Sequence, residues 1–261
     1  MAIRCETVQE INPAIARFDR PIAIVIPAYN EGPHLEKLLA RCAAVKPRLV
    51  LVVDDGSKDD TQEVLALELL KEHGFELVVL RNDPNLGKQG SVLRGLQALK
   101  ERDDIEGVAL IDGDGQHDPN ELPALASLLD QHEMVIGARS HAEMPLHRQF
   151  SNALVNIGFL AIGGVDFSDV QSGLRIYKKE LSDVLAEKLP SAGGYGLEHE
   201  SLSVLARFAI ERGSVVRAVA APASCAYGEA KSKMKPADVI ELAYQTVRHA
   251  WRIRLASLEA A

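Results

Sequence analysis

Cysteine is scarce: Cys5, Cys42 and Cys225 are the only three in 261 residues. Odd in number and scattered, they fit neither a disulfide framework nor a thiolate metal site, and a reducing cytoplasm is the expected setting. Each reads as a small buried hydrophobe rather than a nucleophile. Long apolar runs are missing as well. No stretch reaches the roughly 18 residues of a membrane span and no basic-then-apolar leader opens the chain, so a soluble or peripheral protein is expected. Positive charge is in deficit, with 29 Lys and Arg against 37 Asp and Glu and a formal net charge of -8. That balance argues against nonspecific nucleic-acid binding as the main task. No internal repeat, low-complexity tract or Pro/Gly/Ser linker interrupts the chain, which reads as one domain. No G-x-G-x-x-G follows an early strand, so a dinucleotide-dependent dehydrogenase is excluded.

What is present is an alternation of short apolar runs and amphipathic stretches. After a polar lead over 1–20, with weak helical periodicity from Glu6 to Phe18, Ile22 to Ile26 reads as a strand buried on both faces. Further strands are expected at Leu49–Val53, Phe75–Leu80, Val108–Ile111 and Met134–Gly137, each followed or preceded by a helix. The fold expected is α/β, an open, mostly parallel sheet with helices on both faces. Beyond Gly137 come an apolar helix from about Leu146 to Ile162, a polar turn from Asp169 to Arg175 leading into a short strand, and a helix carrying Glu198 and Glu200. A strand near Val215–Ala220, a basic loop with Lys231 and Lys233, and an amphipathic helix from about Ala237 to Leu258 complete the chain.

The polar clusters fall at strand ends, where open α/β sheets bind ligands. The most informative is Asp112-Gly113-Asp114-Gly115-Gln116-His117-Asp118-Pro119. Asp118 and Pro119 fit a helix N-cap and first helical residue. Asp112 and Asp114 side by side cost Coulomb repulsion, which a hard divalent cation would relieve with Gln116 as a further oxygen ligand. A calcium-binding EF-hand loop would want Gly at His117 and Glu at Pro123, so it does not match.

Taken together, Ile26-Pro27-Ala28-Tyr29-Asn30-Glu31, Val53-Asp54-Asp55-Gly56-Ser57 with Asp60-Thr61, Asn85-Leu86-Gly87-Lys88, the Asp112–Pro119 stretch, Gly137-Ala138-Arg139 and Asp169-Val170-Gln171-Ser172-Gly173-Leu174-Arg175 resemble the family 2 inverting glycosyltransferases of the GT-A fold. Within them the chain looks most like the dolichyl- and polyprenyl-phosphate sugar transferases. The resemblance implies a nucleotide-sugar donor (UDP- or GDP-linked), Mg²⁺ or Mn²⁺, and transfer with inversion. It implies a donor-binding half over 21–137, an acceptor-side half over 138–235 and a C-terminal amphipathic helix over 236–261. Pro27, Tyr29 and Glu31 would surround base and ribose, and Asp55 or its neighbour Asp54 would contact the base. Lys88 and Asp112 would join them, with Asp112, Asp114 and Gln116 holding the metal against the diphosphate. Lys88 fits a solvated loop tip equally well.

The acceptor side leaves two chemistries open. Arg139, Arg148, Arg175, Lys231 and Lys233 could gather round a lipid phosphate, with Asp169 and Gln171 nearby, whereas Asp169, Glu198 or Glu200 could serve as base toward a hydroxyl. Arg139 and Arg175 could equally pair with neighbouring acids. Arg139, Glu198, Glu200 and Asp114 are the candidate catalytic groups, and a phosphate acceptor is favoured because Arg139 and Arg148 flank the start of the apolar helix. The loop Tyr227-Gly228-Glu229-Ala230-Lys231-Ser232-Lys233 departs from the Arg and Gly-Glu-Ser-Lys pattern of polyprenyl-phosphate transferases. The Gln-x-x-Arg-Trp signature of processive synthases is missing, so a single transfer is expected. Arg248, Arg252 and Arg254 among Val247, Trp251, Ile253 and Leu255 fit an interfacial helix beside anionic lipid as well as a packed one, hence peripheral attachment at the inner membrane face. A nucleotidyltransferase would show a Gly-rich loop where Pro27-Ala28-Tyr29-Asn30 stands. A non-catalytic scaffold would not need Asp112-x-Asp114.

Overall fold

Strand-length runs of β-branched and aliphatic residues set the frame. In the computed structural model, which describes residues 2–140, 144–191, 196–226 and 236–259, the strands are β1 (Ile3–Thr7), β2 (Ile22–Ala28), β3 (Leu49–Asp54), β4 (Glu76–Arg81), β5 (Gly107–Leu110), β6 (Met134–Arg139), β7 (Arg175–Lys178) and β8 (Val216–Ala223). The helices are α1 (Gly32–Val45), α2 (Thr61–Glu68), α3 (Gly87–Leu99), α4 (Leu122–Ser127), α5 (Leu146–Gly158), α6 (Lys179–Lys188), α7 (Leu197–Glu211) and α8 (Pro236–Glu259). One sheet of eight strands runs β1-β8-β6-β7-β5-β2-β3-β4. Every pairing is parallel except those of β7, which runs antiparallel between β5 and β6.

The period-two alternation of side chains divides the core into two layers. Ala23, Val25, Leu49, Leu51 and Val53 pack on one face with Val92 and Leu96 of α3, Leu181 of α6, Leu202 of α7 and Ile253 of α8. Ile22, Ile24, Ile26, Val50 and Val52 pack on the other with Leu35 and Leu38 of α1, Leu65 of α2 and Leu125 of α4. Helices therefore cover both faces, and the fold is a single mixed α/β domain.

Two local expectations change. The lead over 1–20 is not helical: Ile3–Thr7 is an edge strand, parallel to β8 with Ile3 opposite Val216. Its outward Arg4 and Glu6 mimic a polar helical turn, whereas the buried Ile3 reveals the strand only once β8 is beside it. The apolar helix expected to about Ile162 is not α-helical throughout, its α-helical part ending at Gly158. It passes there into a π-helical turn, Phe159–Gly163, and ends at Gly164, whose φ of 74° suits a residue without a Cβ. Among the described residues no helix is long and apolar enough to cross a membrane.

The carboxyl ends of β2, β3, β5 and β6 share one edge. Because β7 runs the other way, its first residue meets that same edge, with Arg175 opposite both Leu110 and Ile136. The Asp169–Leu174 turn thus hangs over the ends of β5 and β6.

Candidate active site

The turn after β2 is set by hydrogen bonds from the turn after β3. Asn30 adopts φ 58°, which asparagine tolerates better than most residues. Its N–H donates to Ser57 Oγ at 2.9 Å and its Oδ1 accepts from Lys58 N at 2.8 Å. Thr61 Oγ1 accepts from the N–H groups of Glu31 and Gly32 at 3.1 and 2.9 Å. Held in this way, Tyr29 and Glu31 line a cleft of about 210 Å³ together with Pro27 and Ala28. The 44% exposure of the Tyr29 ring leaves an aromatic face available for stacking.

Asp54 and Asp55 point to opposite sides, as successive residues at a strand end must. Asp54 is spent on the frame: Oδ1 accepts from Ser57 N at 2.9 Å and Oδ2 from Arg81 Nη1 at 2.8 Å. Asp55 lines the cleft, its Oδ1 accepting from Asn82 Nδ2 and Leu86 N, both at 2.8 Å. The structure thus chooses Asp55 over Asp54 as the cleft residue.

The far wall carries Asp112, Gly113 and Asp114 with Lys88 and Ser91 of α3. Lys88 Nζ lies 2.8 Å from Asp112 Oδ1 and 3.1 Å from Glu198 Oε1, so α3, the end of β5 and the first turn of α7 meet at one ammonium. Burial opposes the charge on Lys88, but Asp112 and Glu198 outweigh it and hold the ammonium firmly protonated. Burial would likewise raise the Asp112 carboxyl, yet Lys88 brings it below the usual range. Asp114 goes the other way, pushed up first by burial and then by the charge of Asp112, against the hydrogen bond from Gln116 N. This second carboxylate stands to gain from a further cation.

The backbone of Gln116 meets that pair but its side chain turns elsewhere. Gly115 turns the chain at φ 70°, and Gln116 Oε1 accepts from Cys225 Sγ at 3.8 Å, in a separate hollow with Arg41 and Asp118. Among the described residues no three His, Cys, Asp or Glu side chains group closely enough to hold a metal by themselves. Asp112 and Asp114 are two hard oxygen donors that fit a divalent cation as a half-site, the remaining ligands being left to a diphosphate and water.

The acceptor-side expectations divide sharply. Arg139 is gripped by Asp169: Nε to Oδ2 at 2.7 Å, Nη2 to Oδ1 at 2.9 Å and the backbone N to Oδ2 at 3.1 Å. Asp169 is 1% exposed and gives both oxygens to that arginine. Arg175, expected to bind an acceptor, is 2% exposed and donates to the carbonyls of Val170, Ser172 and Glu198 and to Ser201 Oγ. It braces the turn against α7, and nothing of it reaches the cleft. Glu198 joins the cleft through Lys88. Glu200, half a turn away, faces α8, pairing with Arg252 at 2.9 Å and lying 3.3 Å from His249 Nε2. Arg148 and Gln171 are partly exposed. Lys231 and Lys233 lie outside the described residues.

Three residues were not singled out from the sequence. Ser91 lines the cleft and accepts from Asn82 Nδ2 at 2.9 Å. Asn82 joins Ser91 to Asp55, a link across the chain with no local signal. Gly173 sits where a Cβ would come within 2.8 Å of Asp112 Oδ2 and 3.0 Å of Lys88 Nζ. Its position inside a glycine-containing turn was visible, but its neighbours were not.

Comparison with known proteins fits this geometry. The family described as Glycosyl transferase family 2 matches residues 23–188. An undecaprenyl-phosphate 4-deoxy-4-formamido-L-arabinose transferase of Pseudomonas savastanoi pv. phaseolicola is 31% identical over 170 residues, covering 63% of this chain and 49% of that protein. A UDP-N-acetylglucosamine–dolichyl-phosphate N-acetylglucosaminyltransferase of Methanococcus voltae is 29% identical over 189 residues, covering 66% of this chain and 74% of that one. This chain thus spans about half the length of the first relative and three quarters of the second. Among solved structures, glucosyl-3-phosphoglycerate synthase from Mycobacterium tuberculosis in complex with Mn²⁺ and UDP-glucose has a TM-score of 0.61 at 20% identity, covering 95% of this chain and 86% of that one. With the matched segment containing every strand end that builds the cleft, the chain belongs to glycosyl transferase family 2 and is a glycosyltransferase of the GT-A fold.

Proposed function

We propose that this enzyme transfers one sugar, with inversion, from a UDP- or GDP-linked donor to a polyprenyl-phosphate-type acceptor while attached peripherally to a membrane. The observation that carries the donor half is the single cleft in which Tyr29, Glu31 and Asp55 face the Asp112–Asp114 pair. An aromatic face and acceptor oxygens suit a nucleoside, and Asp112 and Asp114 would hold Mg²⁺ or Mn²⁺. Bound there, such an ion supplies Lewis-acid neutralisation of the departing diphosphate. In the transfer the acceptor oxygen forms a bond to the anomeric carbon on the face opposite the diphosphate. The bond from that carbon to the diphosphate oxygen breaks, and its electron pair leaves with the nucleoside diphosphate.

The acceptor half rests on the carboxylates. A hydroxyl acceptor needs a base within hydrogen-bond reach. All three candidates are engaged in ion pairs: Glu198 with Lys88, Glu200 with Arg252, and Asp169 with Arg139. A phosphate monoester, with a second pKa near 6, is already ionised and needs no base. It needs cations, and Arg148, Lys231 and Lys233 are the basic side chains proposed for that role. The names of the two curated relatives, both lipid-phosphate transferases, point the same way.

The test is a transfer assay with UDP- and GDP-sugars, Mn²⁺ or Mg²⁺, and a water-soluble short-chain isoprenyl phosphate beside its free alcohol. Product on the phosphate alone, with Glu198→Gln and Glu200→Gln losing little, is expected. Transfer to the alcohol, or a loss of several orders of magnitude in kcat in either Gln variant with donor binding intact, would establish a hydroxyl acceptor instead.

A further inference from the structure

Helix α8 is apolar on two opposite sides. Leu242, Thr246, Ala250, Ile253 and Ala256 are buried against the fold. On the opposite side Tyr244, Val247, Trp251, Leu255 and Leu258 are each between 43% and 59% exposed. Their spacings of three and four residues make a single stripe along the helix. A helix already packed on its own core has no need of a second apolar stripe unless something covers it.

The neighbouring helix repeats the arrangement. In α5 and its π-helical continuation, Val155 and Phe159 are buried, while Phe150, Leu154, Ile157 and Leu160 are 74%, 44%, 62% and 52% exposed. The two helices meet closely because small residues mark the crossing: a Cβ on Gly158 would stand 2.6 Å from Thr246 Cγ2, and one on Gly163 would stand 3.4 Å from the Ala250 carbonyl. Nine of the fifteen exposed large hydrophobics among the described residues lie on these two touching helices.

Charge also sets these two helical segments apart in the sequence. In a chain with 37 acidic residues, none lies between Leu146 and Val165 or between Tyr244 and Leu258, whereas Arg148, Arg248, Arg252 and Arg254 do. Glu241 and Glu259 stand beyond the ends of the α8 stripe. Arg252 pairs with Glu200, but Arg248 and Arg254 form no ion pair with any described residue. An apolar stripe bordered by arginines, with Trp and Tyr within it, matches a bilayer surface whose headgroups are anionic.

We propose that α5 and α8 together form the surface by which this enzyme seats on anionic lipid. The proposal deepens the lipid-phosphate reading and rests on it for its purpose, assigning the attachment to two helices rather than to the C-terminal helix alone. A second copy fits less well, because a two-fold interface places the same patch against itself and would bring arginine against arginine.

Trp251 is the only tryptophan in the chain, so its fluorescence reports the stripe directly. The full chain is mixed with vesicles of phosphatidylcholine, with and without phosphatidylglycerol. Expected are a blue shift of emission and co-sedimentation with the anionic vesicles, both weakened by salt. Arg248→Gln and Arg254→Gln should each weaken partition about five-fold, the factor for one basic residue near an anionic surface. Ile157→Glu, on α5, should abolish the shift while leaving thermal unfolding and turnover of the soluble isoprenyl phosphate unchanged. No shift, equal binding to neutral vesicles, or a dimer in sedimentation velocity that Ile157→Glu dissolves would each overturn the assignment. Vesicle binding without transfer to isoprenyl phosphate would sustain the surface and remove the acceptor reading. Transfer without vesicle binding would do the reverse.

Discussion

Removing Asp169 should cost this protein far more than an ordinary surface acid. Its carboxylate is 1% exposed and accepts three hydrogen bonds from Arg139, whose side chain is 12% exposed. Asp169→Ala removes the carboxylate to which both the guanidinium and the backbone N–H of Arg139 donate, in a site that water barely reaches. Breaking one side of a buried ion pair costs about 3–5 kcal/mol. Against a total stability of about 5–15 kcal/mol that is a large share. In a chain of this size each kcal/mol moves Tm by roughly 2–4 °C, so a fall on the order of 10 °C is expected by circular dichroism. The double variant Arg139→Met/Asp169→Leu replaces the pair with apolar groups of similar size and should recover most of that loss. Its turnover then separates two roles. Recovery of kcat with Tm makes Arg139 a brace for the 169–174 turn, whereas recovered Tm with kcat still low makes it a contact to substrate. A fall in Tm of under 2 °C for Asp169→Ala would refute the reasoning, since the pair would then be as dispensable as an exposed one.

Asp114→Asn should reduce turnover about 10²-fold or more, roughly 3 kcal/mol of leaving-group stabilisation, with an unchanged circular dichroism spectrum. Activity surviving both this substitution and EDTA would remove the metal from the proposal. Gly173→Ala should lower kcat with little change in Tm, because its methyl group would intrude on Asp112 Oδ2 at 2.8 Å and Lys88 Nζ at 3.0 Å. An unchanged kcat would mean that this pair yields without consequence. His199 is 1% exposed, both its ring nitrogens lack partners among the described residues, and burial holds it down at about 4 from the ordinary 6.5. Above pH 6.5 the imidazole is neutral in both folded and unfolded chains and its titration costs nothing. As pH falls from 6.5 toward 4 the unfolded chain takes up the proton first, and stability drops by up to about 3 kcal/mol. His199→Leu should flatten that slope in urea titrations across the window, and an unaltered slope would place the acid sensitivity elsewhere.

The sheet and the cleft were legible because both depend on local patterns. Buried parallel strands must be apolar on both faces, so a polar cluster directly after one, as at Tyr29, Asp55 or Asp112, marks the ligand edge. What was hidden depends on which way a side chain points and what lies opposite. Asp54 and Asp55 are alike until the strand end directs one to Arg81 and the other to the cleft. Glu198 and Glu200 are two residues apart on α7, about 200° around the helix, and only packing shows that one meets Lys88 and the other α8. The Arg139–Asp169 pair joins residues thirty apart across a strand not yet paired. The motif records the spacing of Gln116 as a third oxygen, while the turn at Gly115 decides the direction of its side chain, here toward Cys225. β1 was missed because an edge strand with outward Arg4 and Glu6 carries too little apolar signal to oppose a helical reading.

The reversed strand β7 has a consequence for how such an enzyme can change. The chain leaves the sheet at Arg139 and returns at Arg175, and departure and return are fastened together: Ser172 Oγ donates to the Gly137 carbonyl at 2.6 Å, Gly137 N donates to the Leu174 carbonyl at 3.0 Å, and Arg139 clasps Asp169. The excursion between them, which carries α5 and its π-helical turn against α8, is therefore entered and left at one clasp beside the donor cleft. Insertions are tolerated best where the two ends of a segment already lie side by side. If the acceptor side proposed above is right, grafting a foreign excursion between these two strands should change the acceptor while leaving Tyr29, Asp55 and Asp112 in place, so that acceptor preference could drift as a cassette independent of the donor.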